Sequence, residues 1–300
     1  MISFFITEAG LPVKVKSITD KYMRRLFGLS GACLEGVLLG LTGGYNTAVK
    51  CAVRLKADYP ESVNQAKRVA LFFTNPGISF TVLLVGATLS GSLLTGLRIY
   101  SEAVFYNLLI AYIYNKFNKL SDEIIVRKSE ADISHSFVSA VKSATEVIIS
   151  VSFNIIFFSC IICIIGNIFK SETIDRILIL ISEVSSAVIY SSEGCPFYIT
   201  AGITVFGGIC IFIQNLDDLK KLEVRPFHFI LIRVIHSFLV GVTEYIYSLF
   251  FPDAVYTSAQ YRVRLTSSDN ASGTAALIFL CIIYLFAVRN IKSKGIRQRK

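Results

Sequence analysis

The sequence is poor in charged side chains, which make up only 17% of its 300 residues. A typical soluble domain carries roughly 25%. Hydrophobic residues make up 53% of the chain, and the mean hydropathy is +0.61. A soluble fold of this size could not bury so much apolar side-chain surface, because surface remains a large share of such a domain. We therefore expect an integral membrane protein, and the low charge argues against a soluble enzyme.

Signatures of catalysis and metal binding are also missing. The chain has no Gly-x-x-x-x-Gly-Lys-Ser/Thr loop, no Gly-x-Ser-x-Gly and no His-Glu-x-x-His. Its three histidines do not cluster. The seven cysteines are scattered, and Cys160 and Cys163 lie inside an apolar run, where reduced packing cysteines are a better interpretation than a redox or metal site. We predict no catalytic residue, no metal and no cofactor.

Basic residues give a formal net charge of +9, but they occur in short runs beside apolar segments. Such runs are typical of cytoplasmic loops and of contact with anionic lipid, so membrane lipid is an expected partner and nucleic acid is not. Residues 289–300 are strongly basic, which predicts a cytoplasmic C-terminus. The loop at residues 252–274 would then lie on the outer side.

Several stretches are long and apolar enough to cross the hydrocarbon core, which takes roughly 20 helical residues. Together with the interrupted regions described next, they predict an all-α, polytopic helical membrane protein. The predicted uninterrupted spans are residues 78–97, 99–117, 145–169, 227–251 and 275–291.

Two further apolar regions are interrupted by glycine, proline and polar residues. Residues 27–50 contain Gly43-Gly44-Tyr45 and lead to Asn75-Pro76-Gly77, while residues 177–214 contain Phe206-Gly207-Gly208. A broken helix leaves backbone groups unpaired, so membranes tolerate it only where it is buried in protein or lines a wet cavity. Transporters use such breaks to bind ligands. We expect two broken-helix or re-entrant hairpin elements that share a site.

Glycine also allows close helix packing without any binding role. For Gly86, Gly91 and Gly96 we favour this packing interpretation, and for the two interrupted regions, where polar residues join the glycines, we favour a site.

Ionisable residues inside apolar segments are costly and therefore indicate function. Glu183 is followed by two serines, although a glutamate near a helix end can also simply reach water. Arg233 shares a helix with His236 and Glu244, so it either balances an anionic ligand or pairs with Glu244 or Glu183. Lys50 either meets an anion or extends to the membrane edge.

The candidate substrate-binding residues combine these charged groups with the breaks and their neighbouring amides. They are Gly43, Gly44, Tyr45, Asn46, Lys50, Asn75, Pro76, Gly77, Glu183, Ser185, Ser186, Gly207, Gly208, Gln214 and Arg233.

Four motifs in order carry a family resemblance. They are Leu26-Phe27-Gly28-Leu29-Ser30-Gly31 with Gly43-Gly44-Tyr45-Asn46-Thr47-Ala48-Val49-Lys50, then Phe73-Thr74-Asn75-Pro76-Gly77-Ile78-Ser79-Phe80, Glu183-Val184-Ser185-Ser186, and Phe206-Gly207-Gly208-Ile209-Cys210-Ile211-Phe212-Ile213-Gln214. They resemble the sporulation integral membrane protein YlbJ family from about residue 22 to 250. Asn46 stands where that family usually has proline, and Val49 where it has glycine.

The resemblance implies a Gate-domain (nucleoside-recognition) protein of the bacterial cell membrane, in the outer forespore membrane of endospore formers. It implies a single membrane domain over residues 1–300, with Gate-like halves at 26–118 and 134–251 and a final span and basic tail at 275–300. The implied activity is secondary transport of a small heteroaromatic anion, dipicolinic acid, during sporulation. The alternatives are a non-transporting assembly factor of spore formation and a nucleoside-type transporter. Whether the chain forms a homo-oligomer stays open.

Overall fold

The computed structural model describes residues 13–120, 145, 149, 151–165, 168 and 172–251. These residues belong to one compact unit that lies within residues 1–261. In this part of the chain every regular element is a helix and no strand occurs, which confirms the all-α class. The predicted span 275–291 and the basic tail lie outside the described residues.

The first half of the described chain contains six helices joined by short breaks. Two short 3₁₀ turns, Gly31–Cys33 and Pro60–Ser62, precede the second and fourth helices. The helices are α1 (Val13–Phe27), α2 (Leu34–Thr42), α3 (Thr47–Asp58), α4 (Val63–Phe72), the π-helical α5 (Phe80–Leu89) and α6 (Leu93–Phe117).

The second half begins with a short apolar helix, and closely spaced helices follow it. Their boundaries coincide with polar or glycine residues that stop helical hydrogen bonding. They are α7 (Val151–Ile165), α8 (Glu172–Ser182), α9 (Val184–Gly194), α10 (Phe197–Phe206), α11 (Gly208–Lys221) and α12 (Pro226–Phe250).

Among the described residues, two helical stretches are long and apolar enough to cross a membrane, Phe197–Lys221 and Pro226–Phe250. A third crossing is available if Ile18–Phe27 and Gly31–Thr42, bent by 92° at their break, form one span. The span predicted at 227–251 is therefore confirmed in length and composition. Large apolar side chains on α12, including Phe227, Phe238 and Leu249, are exposed, as a lipid-facing surface requires.

The predicted spans 78–97 and 99–117 are wrong in their boundaries. Residues 78–97 do not form one helix, because the chain turns at Gly91, whose φ of +70° favours glycine. After this turn α6 continues for 25 residues, through the predicted boundary. α5 is too short to span alone. The predicted span 145–169 is described mainly over α7, a short apolar helix.

Gly86 and Gly96 bring α5 against α6, which confirms the packing interpretation for these two glycines. A Cβ at Gly96 would lie 2.6 Å from the Thr81 carbonyl oxygen and 2.8 Å from the Gly86 Cα. Both are backbone atoms, so relieving such a clash would require the backbone of the two helices to shift. Gly91 differs, because it forms the turn itself.

Buried apolar side chains form two clusters. The first surrounds Val69 of α4 and Phe73, which follows the end of α4, and it includes Leu219 and Phe229. The second surrounds Val85 and Ile99 and includes side chains from α9, α10 and α12. Each cluster therefore joins the first half of the chain to the second.

We expect Gly96→Ala to lower the free energy of unfolding by about 1–3 kcal/mol, because an added methyl overpacks the α5–α6 contact. Thermal unfolding of purified protein in detergent measures the loss. Gly241→Ala is the matched control, since a Cβ there would lie 3.5 Å from its nearest neighbour, the Tyr198 carbonyl oxygen. Equal effects of the two substitutions would contradict the close contact.

Candidate functional site

A cavity of about 290 Å³ lies where the helix breaks of the two halves meet. Its walls combine glycine backbone, amide and hydroxyl groups, one lysine, one glutamate and apolar side chains. The lining residues are Gly43, Gly44, Tyr45, Asn46, Thr47, Lys50, Gly77, Ser79, Phe80, Val151, Ile155, Glu183, Val184, Ser185, Ile211 and Gln214.

The beginnings of several helices border this cavity. Asn46 and Thr47 are at the start of α3, Ser79 and Phe80 at the start of α5, and Val184 at the start of α9. α11 begins at Gly208 and contributes a residue of its first turn. A helix N-terminus carries a partial positive charge from its unpaired N–H groups. The arrangement therefore favours an anionic group in the cavity.

The first half contributes two breaks that lie against each other. A Cβ at Gly44 would lie 3.7 Å from the Gly77 nitrogen, and one at Gly77 would lie 3.6 Å from the Gly44 Cα. Gly44 has a φ of +103°, a conformation that other residues rarely adopt. Backbone from two separate breaks therefore forms one wall of the cavity.

Glu183 and Gly208 form the corresponding pair in the second half. Glu183 lies between α8 and α9, where its carboxylate accepts hydrogen bonds from the Ser185 nitrogen at 2.9 Å and the Ser186 nitrogen at 2.8 Å. It is therefore the N-cap of α9 and is only 2% exposed. Across from it, a Cβ at Gly208 would lie 3.0 Å from the Ser182 carbonyl oxygen. Glycine is needed there because the two breaks touch.

Tyr45 and Asn46 join the two halves. The Tyr45 hydroxyl donates to the Thr204 carbonyl oxygen, and the tyrosine ring lies against Gly207, where a Cβ would approach it to 3.0 Å. Asn46 Nδ2 donates to Gln214 Oε1 at 2.7 Å. Asn215 Nδ2 in turn donates to Asn46 Oδ1 at 2.7 Å. Side chains that follow Gly44 therefore bind α10 and α11, the helices on either side of the Gly207 break.

Arg233 is buried behind the cavity and does not line it. Its guanidinium donates to the Thr74 carbonyl oxygen and, at 3.1 Å, to Asn107 Oδ1. Asn107 Nδ2 donates to Asn75 Oδ1 at 3.0 Å, and Asn75 Nδ2 donates to the Leu41 carbonyl oxygen at 3.1 Å. These bonds satisfy the backbone at the Asn75-Pro76-Gly77 break.

The predicted pairing of Arg233 with Glu244 or Glu183 is wrong. Glu244 is bound by Arg98, with Arg98 Nε 2.9 Å from Oε1 and Nη2 2.7 Å from Oε2. The carboxylate of Glu183 is held by two backbone amides. Arg233 therefore supports the break and does not line the cavity, and its contact with a ligand stays a prediction.

Nine of the candidate residues line the cavity. They are Gly43, Gly44, Tyr45, Asn46, Lys50, Gly77, Glu183, Ser185 and Gln214. The others contribute from behind the walls, where they shape or cap the breaks, and the structure does not bring them to the surface of the cavity. They are Asn75, Pro76, Ser186, Gly207, Gly208 and Arg233.

Sequence reasoning missed several members of this arrangement. Val151 and Ile155 of α7 and Ile211 of α11 are lining residues within apolar helices, and nothing in their local pattern distinguishes them from packing residues. Asn107 and Asn215 lie in the middle of helices without a neighbouring glycine or proline. A buried amide inside an apolar run was the available signal.

The comparisons with known proteins give no relative. No family model matches the chain, and neither curated proteins nor solved structures provide a significant match. Among the described residues, no group of three or more histidine, cysteine, aspartate or glutamate side chains is arranged to hold a metal.

We expect Asn107→Ala to lower the free energy of unfolding by about 2–3 kcal/mol, because Arg233 and Asn75 each lose a buried hydrogen-bond partner. Chemical or thermal unfolding in detergent checks the change. Ser101→Ala on the exposed face of the same helix is the control and should stay within about 0.5 kcal/mol of the original protein. A neutral Asn107→Ala substitution would show that these bonds do not hold the break.

Proposed function

We propose that the chain is a secondary membrane transporter of a small heteroaromatic anion, and that dipicolinic acid is its substrate during sporulation. The observation that carries the proposal is the meeting of four helix breaks around one cavity. Backbone breaks in an apolar surrounding are costly unless they are buried in protein or line a wet cavity. In transporters such breaks hold the ligand near the middle of the membrane.

The chemistry of the cavity supports an anionic, ring-shaped ligand. Helix N-termini and the Lys50 side chain favour negative charge, while Phe80, Val151 and Ile155 provide apolar surface for a ring. Asn46 and Gln214 can donate and accept hydrogen bonds, as carboxylate and ring nitrogen atoms require. Glu183 already occupies the start of α9, so the ligand's negative groups belong on the α3 and α5 side.

The Gate-like resemblance agrees with the arrangement of the breaks. Each half contributes two breaks that touch, Gly44 with Gly77 and Glu183 with Gly208. A pair of related broken-helix elements facing each other is what the resemblance implies. The polytopic organisation, the bacterial cell membrane and the sporulation role are parts of this same proposal.

The distribution of basic residues supports an orientation in the membrane. Lys56 Nζ donates to the Lys221 carbonyl oxygen and lies 2.9 Å from Glu223 Oε1, while Lys67 Nζ lies 3.4 Å from Glu223 Oε2. The hydrogen bonds and positive charges of both lysines lower the pKa of the Glu223 carboxyl. Arg68 reaches the end of α6 from the same region. By the positive-inside rule, this basic end faces the cytoplasm.

This orientation agrees with a cytoplasmic C-terminus. α12 begins at the basic end and runs towards the opposite side, so Phe251 lies at the outer end of this helix. One further crossing at 275–291 would return the chain to the cytoplasm.

The halves have to separate and rejoin for a ligand to pass. The bonds from Tyr45 to Thr204 and from Asn46 to Gln214 and Asn215 connect the halves at the cavity wall. A ligand carboxylate can replace the Gln214 oxygen as the acceptor for Asn46. We infer that ligand binding and closure of the halves compete for the same amide groups.

The proposal is tested by binding and flux with purified protein. We expect saturable binding of dipicolinate in detergent and ligand movement across liposomes that contain the protein. Lys50→Gln should weaken binding about tenfold, because it removes a charge-assisted contact worth roughly 1.4 kcal/mol or more. Isothermal titration measures the affinity.

Lys220→Gln is the matched control, since Lys220 is exposed at the basic end, where its Nζ lies 3.4 Å from Asp217 Oδ1 of the same helix. It should bind as the original protein does. Absence of both dipicolinate and nucleoside binding and flux would reject the transporter and favour an assembly role. Unchanged binding by Lys50→Gln would reject the placement of the anion.

A further inference from the structure

The α6–α12 contact contains an ion cluster that the ligand cavity does not use. Arg98 of α6 holds the Glu244 carboxylate of α12 with two hydrogen bonds, at 2.9 and 2.7 Å. Its guanidinium carbon also lies 3.6 Å from the centre of the Tyr247 ring. A second carboxylate, Glu102, is one helical turn along α6, with Oε1 at 3.9 Å from Arg98 Nε.

The charges in this cluster do not balance if both carboxylates are ionised. The single Arg98 guanidinium would then face two carboxylates, and its two hydrogen bonds already go to Glu244. Glu102 Oε2 is buried and has no hydrogen-bond partner within the described part of the chain. An ionised carboxylate without a partner is expensive in a low-dielectric surrounding, and one proton removes that charge.

We propose that Glu102 binds and releases one proton during transport, so that the coupling ion is H⁺. This inference rests on the proposed transport function and names its coupling ion. In the arrangement seen here Glu102 carries the proton. When the helices shift and water reaches the Glu102 oxygen, the proton passes to water on that side.

A proton suits this site better than a metal cation does. A metal ion needs several oxygen ligands at once, whereas a proton needs a single oxygen. Arg98 repels any second cation, and the described residues contain no group of three or more His, Cys, Asp or Glu side chains suited to a metal. Among the described residues, the unpartnered Glu102 Oε2 is such a single oxygen and can bind a proton.

Several other titratable groups lie along the described helices that pack around Glu102. α5, which packs against α6, has no ionisable residue between Phe80 and Leu89. α2 contacts α6 through the Tyr100 hydroxyl, which donates to the Leu41 carbonyl oxygen. α1 and α4 contact α6 near its basic end, at Asn115. The titratable or charged groups along the α6–α12 contact and its α10 neighbour are Arg98, Tyr106, Tyr198, Arg233, His236, Glu244, Tyr245 and Tyr247.

The same two helices also hold the break beside the cavity. Asn107 of α6 and Arg233 of α12 bind the Thr74–Asn75 segment. Between that contact and the ion cluster, His236 Nε2 lies 2.8 Å from the Ala103 carbonyl oxygen, and its Nδ1 is buried without a partner. A shift of α6 against α12 therefore changes both the proton site and the break. This shared contact is the physical link between proton and ligand.

Infrared spectroscopy of the purified protein tests the proton site without any transport. We expect the carbonyl band of a protonated carboxylic acid at neutral pH, its loss in Glu102→Gln, and its retention in the matched variant Glu61→Gln at an exposed position. Survival of the band in Glu102→Gln would overturn the proposal. If Glu102→Gln does not yield folded protein, disappearance of the band in the original protein at high pH serves as the readout, and a band that persists counts against a releasable proton.

Flux in liposomes then tests the coupling. An imposed pH gradient should drive dipicolinate accumulation by the original protein and by Glu61→Gln, and should lose its effect in Glu102→Gln. Accumulation driven by a sodium gradient, with no response to pH, would overturn proton coupling. If no variant moves any ligand while the band depends on Glu102, the transport function fails and the proton site stands.

Discussion

The structure depends on satisfying the polar backbone atoms that become free where helices stop inside an apolar molecule. At the Asn75-Pro76-Gly77 break this is done by a buried chain of donors that begins at Arg233 and passes through Asn107 and Asn75. At the second set of breaks the Glu183 carboxylate caps α9. Without such partners each free group would cost several kcal/mol in this setting, and continuous helices would be the more stable arrangement.

Satisfying the breaks in this way also determines what is available to a ligand. Arg233 and Asn75 are used behind the wall, whereas Lys50, Asn46 and Gln214 line the cavity. The buried Arg233 side chain therefore stabilises the wall of the cavity. Under the proposed function, recognition is left to helix N-termini, amides and a lysine. A charged residue in an apolar span can therefore support a break without lining the cavity.

The contact between α6 and α12 connects distant parts of the molecule. It carries Asn107 and Arg233 near the cavity, His236 beside the Ala103 carbonyl oxygen, and the Arg98–Glu244 pair further along. These polar contacts occur in a helix pair whose other residues are mostly apolar. Polar groups buried between helices have strict geometric needs, so they allow fewer relative positions than apolar packing does.

The sequence by itself determined the helical class, the span at 227–251 and the breaks at Gly43-Gly44, Asn75-Pro76-Gly77 and Gly207-Gly208, because composition and glycine or proline act locally on the backbone. It did not determine that α6 continues through residue 98, since the hairpin turn at Gly91 depends on Gly86 packing against Gly96. Nor did it show that Arg98 rather than Arg233 binds Glu244, or that α7 closes the cavity. Only the tertiary structure decided these, because helix packing chooses the partners, whether they lie in neighbouring helices like Gly86 and Gly96 or 146 residues apart like Arg98 and Glu244, and local pattern carries no record of that choice.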